Sequence, residues 1–131
     1  MHRNPSRPLS PHLTIWRWGP HMLVSILHRV TGGGLATVGA IALVWWLVAA
    51  SSGAEAYETF TGWATSWIGI VVAVGLSWAL FQHSLSGLRH LVMDIGAGFE
   101  IRKNKFWAMM TLAGSTALTA LLWLYIGLEK L

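Results

Sequence analysis

The chain has 131 residues, which is enough for one domain. Only 11% of the residues are charged and 54% are hydrophobic, so the chain cannot cover a soluble globule of this size with solvated side chains. It has no cysteine, which excludes disulfides, thiolate metal sites and iron–sulfur clusters held by this chain. The composition therefore predicts an integral membrane protein, because lipid suits such an apolar surface.

The N-terminal segment, residues 1–21, differs from the rest of the chain. It contains all four prolines, which prevent a long helix there. Ile15, Trp16 and Trp18 indicate a stretch that lies at the inner membrane interface. We recognise no cleavable signal peptide, and Pro20 can begin the first helix because a first-turn residue needs no backbone donor.

Three long stretches without charged residues follow, at 30–54, 59–88 and 106–128. Each is long enough for one membrane-spanning helix of about 20 residues. The sequence therefore predicts an all-α membrane protein, with a three-helix domain over residues 22–131. The predicted spans are about 24–50, 62–92 and 105–128.

The basic residues predict the orientation of these spans. They flank one membrane end: Arg3, Arg7, Arg17 and Arg29 before the first span, and Arg89, Arg102, Lys103 and Lys105 after the second. The loop between the first two spans, around 51–61, has two acids and no base. The positive-inside rule then places the N-terminus in the cytoplasm and the C-terminus in the periplasm, or the N-terminus in the matrix of a mitochondrion. The net charge of +4 is interpreted as this topology signal, and no nucleic-acid partner is predicted.

His83 is the ionisable residue that lies deepest in a predicted span. It precedes Arg89, which marks the inner interface, by six residues and so lies about 9 Å deeper. A helix–helix hydrogen bond, a proton relay or haem iron would each satisfy an imidazole there. Ala79 and Gly87, four residues away on either side, leave room for a flat macrocycle and favour haem.

A second polar group lies at the inner start of the first span. Ser25, His28 and Arg29 can share one helix face, where they could meet haem propionates or a quinone carbonyl. The alternative is that Arg29 only flanks the span. The small residues that follow, at 32–34, indicate close helix packing.

A third group lies at the inner end of the second span. His90 and Asp94 are seven and eleven residues from His83, close to one helix face. Asp94 could pair with Arg89, carry protons to a quinone site or be a solvated helix-end carboxylate.

Three motifs at these positions resemble the cytochrome b subunit of succinate dehydrogenase. Residues 7–15 read RPLSPHLTI, residues 25–32 read SILHRVTG and residues 83–94 read HSLSGLRHLVMD. They occur in the family's order around three spans. Two positions depart from the family pattern, since Trp16 and Gln82 each replace a tyrosine, and Gln82 could alter hydrogen bonding near the haem.

The resemblance implies the larger, C-type membrane anchor of respiratory complex II. Its partners would be a flavoprotein with FAD, an iron–sulfur protein, a second membrane anchor and the lipid bilayer. Electrons from succinate, an acid of the tricarboxylic acid cycle, would pass through FAD and iron–sulfur clusters to ubiquinone or menaquinone. The succinate-oxidising site would lie on another subunit, so no catalytic residue is predicted in this chain. The short stretch before the first motif favours a bacterial inner membrane over a mitochondrial one.

The resemblance also implies roles for individual residues. His83 would be one axial ligand of a haem b, and the second anchor would supply the other. Ser25 and Arg29 would bind quinone, and His28 and Arg29 would contact the propionates. Arg89, His90 and Asp94 are expected to support the haem or quinone site.

Three other functions stay open at this point. The chain could be the anchor of a quinol:fumarate reductase, which shares the architecture and runs the reaction backwards. It could be a structural anchor without haem. A small transporter or proton channel is the third alternative, but it leaves the N-terminal motif unexplained.

Overall fold

The computed structural model describes Ser6 and residues 17–129, and the elements it contains there are helices. They are α1 (Pro20–Gly34), a π turn (Leu35–Gly39), α2 (Ala40–Ser52), α3 (Ala54–Ala64), α4 (Trp67–Asp94) and α5 (Ile101–Glu129). The first three run on as one helix of 33 residues. Within the described residues, three helices are long and apolar enough to cross a membrane, at Pro20–Ser52, Trp67–Asp94 and Ile101–Glu129. The predicted fold class is confirmed.

Parts of the prediction fall on residues that are not described. The motif at 7–15 and most of the N-terminal segment lie outside the described residues. The division into an interfacial segment and a transmembrane domain therefore stays a prediction.

The ends of the helices follow from local sequence. Pro20 stands in the first turn of α1, as predicted, and Ser66 caps α4, with its Oγ accepting a hydrogen bond from the Gly69 amide at 3.2 Å. α4 ends in a Schellman motif, in which the amides of Gly96 and Ala97 donate to carbonyls of its last turn. Gly96 has a φ of 85°, which glycine adopts without strain.

The connection predicted as a loop around 51–61 is instead mostly the short helix α3. Gly53, with a φ of 107°, ends α2, and Glu55 stands in the first turn of α3, where the helix dipole favours a negative charge. Because α3 continues to Ala64, the second span begins at Trp67 rather than near 62. α5 begins at Ile101, one turn before the predicted 105, since its first turn carries the basic residues that precede the apolar stretch.

α4 packs against both α1 and α5, and α1 also contacts α5, so the three spans form one bundle. The interior is more polar than the surface: of the nine described residues that are buried, six are polar. They are Thr31, Gln82, Ser86, Thr111, Ser115 and Thr119. The large apolar side chains mostly point outward, as expected where lipid surrounds the protein and hydroxyls join the helices.

Candidate functional site

The imidazole of His83 lies where α4 contacts α1. Its Nδ1 is 3.0 Å from the backbone oxygen of His28 and 3.3 Å from the hydroxyl oxygen of Thr31. A carbonyl oxygen only accepts hydrogen bonds, so Nδ1 carries the proton and Nε2 keeps its lone pair. Nε2 makes no hydrogen bond to any described residue. Metal-binding histidines are commonly held in this way, with the second ring nitrogen donating to a carbonyl.

Gly32 allows this close approach between the His83 ring and α1. A Cβ at Gly32 would lie 2.8 Å from Cε1 of His83, whereas a Cβ at Gly33 would meet nothing within 4 Å. The sequence indicated only helix packing for these glycines. The available signal was the position of Gly32 at the end of the SILHRVTG motif.

His28 completes a stacked pair with His83. The two ring centroids are 4.0 Å apart and the planes differ by 6°. The ring of His90 follows at 4.8 Å from that of His28, tilted by 39°. We call His28, His83 and His90 the histidine cluster. The sequence placed the three at one membrane end, and the structure brings their rings together.

Ser86 orients two members of the histidine cluster, and the sequence analysis missed it. Its hydroxyl donates to the backbone oxygen of Gln82 at 2.7 Å, so it accepts from Nδ1 of His28 at 2.7 Å. Its backbone oxygen accepts from Nδ1 of His90, also at 2.7 Å. Ser86 is fully buried between α1 and α4. Its place in the HSLSGLRHLVMD motif, three residues after His83, was the one available signal.

Ser25 and Arg29 lie on α1 beside the histidine cluster. Ser25 is half-buried and Arg29 is exposed. Neither side chain makes a hydrogen bond or ion pair with the described part of the chain. Among the described residues, nothing therefore competes for the hydroxyl of Ser25 or the guanidinium of Arg29.

Arg89 and Asp94 are not brought into the histidine cluster. Nη2 of Arg89 donates to Oδ1 of Asn104 on α5 at 2.6 Å, on the other side of α4. Asp94 is exposed at the end of α4, and no ion pair joins it to Arg89 in the described structure.

The side chain of Gln82 also turns away from the histidine cluster. It is fully buried against α5, where Oε1 accepts a hydrogen bond from the hydroxyl of Ser115 at 2.8 Å. Its position between α4 and α5 separates it from His83. The departure from the family pattern at this position therefore changes a helix–helix contact, and only its backbone oxygen reaches the histidine cluster, through Ser86.

Fold and site together define a membrane subunit with three spans, in which the contact between α1 and α4 holds the imidazole of His83 by Nδ1. The chain matches the family model described as succinate dehydrogenase/fumarate reductase transmembrane subunit over residues 3–122. It belongs to this family, and the resemblance predicted from the three motifs is confirmed.

Individual relatives agree with this assignment. The chain is 40% identical over 116 residues to the succinate dehydrogenase cytochrome b556 subunit of Paracoccus denitrificans, with 88% of each chain covered. It is 39% identical over 118 residues to the subunit of the same name from Rickettsia conorii, covering 89% of this chain and 90% of the relative. The mitochondrial cytochrome b560 subunit of Mus musculus is 36% identical over 99 residues, which are 73% of this chain and 57% of the relative.

Proposed function

We propose that this chain is the cytochrome b membrane anchor of a succinate dehydrogenase and that His83 is its axial ligand to a haem b. The observation that carries the proposal is the way in which the two nitrogens of the His83 ring are bonded. Nδ1 is held by the carbonyl of His28, and Nε2 is left without a hydrogen bond to the described residues. The name cytochrome b, carried by the relatives, supports haem as the group bound there.

The residues around His83 fit a haem. Gly32 keeps the ring against α1 without a side chain in between, and Ser86 fixes the ring of His28. His28 and Arg29 would hold the propionates through charge-assisted hydrogen bonds. The second axial ligand would come from a second anchor subunit. When bound, the haem supplies a one-electron carrier inside the membrane.

Ser25 and Arg29 would form this chain's part of the quinone site. A quinone carbonyl accepts hydrogen bonds, and the Ser25 hydroxyl and the Arg29 guanidinium both donate. Both lie at the start of the first span, at the end of the molecule that also carries the basic residues 102–105. His90 and Asp94 would support proton delivery at this end, where they lie near the end of α4.

The assembly would contain a flavoprotein with FAD, an iron–sulfur protein and the second anchor. Succinate would be oxidised on the flavoprotein, and ubiquinone or menaquinone would accept the electrons at the membrane. The basic residues orient the chain with its N-terminus in the cytoplasm of a bacterium and its C-terminus in the periplasm.

The test is the absorption spectrum of the complex purified with this chain in mild detergent. Replacing His83 with alanine should abolish the b-type absorption band. His90 also donates Nδ1 to a carbonyl, but it lies about two turns nearer the inner end of the span and should not replace the ligand. His21→Ala is the matched control, since His21 lies at the start of α1 outside the histidine cluster, and it should keep the band. A complex that retains its haem with His83→Ala contradicts the ligand assignment.

The same purification distinguishes a succinate dehydrogenase anchor from a structural anchor without haem. The first predicts that a flavoprotein and an iron–sulfur protein copurify and that the wild-type complex shows the haem band. Copurification with no haem in the wild-type complex would favour the structural anchor. A folded chain that brings neither soluble protein would contradict the assignment to a dehydrogenase.

The quinone site has its own test, which leaves the haem in place. Ser25→Ala should raise the quinone concentration needed for half-maximal reduction by about tenfold, the effect of losing one hydrogen bond to a ligand. Ser84→Ala is the control, because Ser84 is exposed on α4. An equal effect of both variants would contradict a specific role for Ser25.

A further inference from the structure

A cavity of about 420 Å³ lies between α4 and α5, on the side of α4 opposite the histidine cluster. Its volume is within the range of small-molecule sites, about 300–1,000 Å³. Its lining runs along α5 from Asn104 to Leu118, fifteen residues that span about 21 Å of helix. One leaflet of the hydrocarbon core is about 15 Å thick, so the cavity is as long as a lipid tail with its ester linkage.

The cavity is polar at one end and apolar along the rest of its length. Arg89 and Asn104 lie at the cytoplasmic end predicted from the basic residues. Deeper in the membrane its wall is formed mainly by apolar side chains, among them Leu85 and Leu118. The hydroxyl of Thr111 is turned back to donate to the Ala108 carbonyl at 2.8 Å, so it offers no donor to the cavity. This lining suits an amphiphile with its polar group at Arg89.

The guanidinium of Arg89 has no anionic partner within the described residues. One of its five N–H donors is used by Asn104, and Nε is buried without a hydrogen bond. A buried guanidinium nitrogen that has no acceptor is costly. An anion in the cavity would supply both the charge and the missing acceptors.

The surrounding charge also favours an anion over a neutral molecule such as a quinone. Between positions 89 and 105 four bases face two acids: Arg89, Arg102, Lys103 and Lys105 against Asp94 and Glu100. One of these bases, Lys103, is paired with Glu100 at 2.9 Å. The remaining positive surplus lies at the same end of the molecule as the mouth of the cavity.

We propose that this cavity binds one anionic phospholipid, with its phosphate at Arg89 and Asn104 and one acyl chain between α4 and α5. The site is separate from the haem and quinone residues, which lie on the opposite side of α4. A bound lipid would account for the long apolar cavity between two helices that are otherwise joined by buried hydroxyls.

The experiment is native mass spectrometry of the purified complex, titrated with phosphatidylglycerol and, in parallel, with phosphatidylcholine. Wild type should bind one phosphatidylglycerol more tightly than phosphatidylcholine. Arg89→Gln should weaken binding of phosphatidylglycerol by about tenfold or more, the effect of losing a charged hydrogen-bond donor. Arg102→Gln is the matched control, because Arg102 is exposed at the same end but does not line the cavity, and its effect should be much smaller.

A second pair of variants tests the acyl chain without changing charge. Leu118→Trp places a larger side chain in the cavity and should also weaken phosphatidylglycerol binding. Leu121→Trp is its control, because Leu121 lies on the exposed surface of α5 outside the cavity. If Arg89→Gln prevents assembly of the complex, this pair still tests whether the lipid occupies the cavity.

Three results would overturn the proposal. Equal losses with Arg89→Gln and Arg102→Gln would show general attraction to basic residues. Unchanged binding with Leu118→Trp would place the lipid elsewhere. If the wild-type complex retains no phosphatidylglycerol, the cavity would be assigned to a partner helix. If a quinone displaces the lipid, the cavity would be assigned to quinone.

Discussion

The two faces of α4 use polar side chains inside the membrane in different ways. Toward α5, the side-chain oxygen of Gln82 meets Ser115, and Thr111 and Thr119 bond to carbonyls of their own helix. Toward α1, the rings of His28 and His83 are each held by one nitrogen, Nδ1. The other nitrogen of His83 remains free. The comparison shows that toward α5 hydroxyls and an amide join the helices, although Nε2 of Gln82 stays unpaired, whereas toward α1 the imidazoles keep a ring nitrogen whose lone pair can bind a ligand.

The largest effect is expected from adding a side chain at Gly32, where α1 contacts the ring of His83. Gly32→Ala would place a Cβ 2.8 Å from Cε1 of His83, so the ring must move. Overpacking of this kind typically costs about 1–3 kcal/mol, and we expect it to appear as weaker haem binding and an altered absorption band. Haem content per complex and the spectrum measure it. Gly33→Ala is the matched control, because its Cβ meets nothing within 4 Å, and a similar loss there would contradict this role of Gly32.

The α5 face should respond in stability and not in haem content. Ser115→Ala removes the hydroxyl bonded to Gln82 and leaves both polar atoms of the buried amide unpaired, at a cost of about 1–2 kcal/mol. Adding Gln82→Leu should recover part of this loss, since removing both partners avoids an unpaired group.

Thermal unfolding of the purified complex, with haem content measured in parallel, checks this pair. A double variant that is less stable than Ser115→Ala alone would contradict the paired role. If the loss of stability in Ser115→Ala is accompanied by a proportional loss of haem, the two faces of α4 are coupled.

The smallest effect is expected from Ser86→Ala, which removes the acceptor for Nδ1 of His28 but leaves His83 in place. Side-chain hydrogen bonds between membrane helices average about 0.6 kcal/mol, so the haem should be retained with a small change in its spectrum. Ser84→Ala, on the exposed side of α4, is the control and should leave the spectrum unchanged. Complete loss of haem with Ser86→Ala would mean that His28 is needed for ligation itself.

Much of the fold followed from the sequence because charge-free stretches report directly on membrane spans. The three spans and the proximity of the two histidine motifs were both predictable. α3 was not, because its residues lack a charge-free or strongly periodic pattern and its two acids were interpreted only as a topology signal. Its separation from α2 occurs at Gly53, whose positive φ the sequence does not reveal.

The sequence predicted which types of residue form the site, but not how their side chains contact one another. His83 could be singled out because an imidazole in hydrocarbon is costly, whichever way its ring points. The roles of Gly32 and Ser86 depend on the register between α1 and α4, which one sequence does not supply. For the same reason Arg89 was expected near the haem or quinone, although it lies on the other side of α4 beside Asn104.

The π turn at Leu35–Gly39 has a consequence for how the first span tolerates change in length. A π turn holds one more residue than the corresponding α-helical turn, so it offsets the outer half of the span from the inner half. Deleting one residue there would restore a regular α-helical turn and leave the faces of the two flanking halves almost unchanged, whereas the same deletion in a regular α-helical turn would rotate the residues that follow by about 100° around the axis. The first span can therefore lose one residue at the π turn while the inner half keeps its contact with α4 and the outer half keeps the same face toward its neighbours.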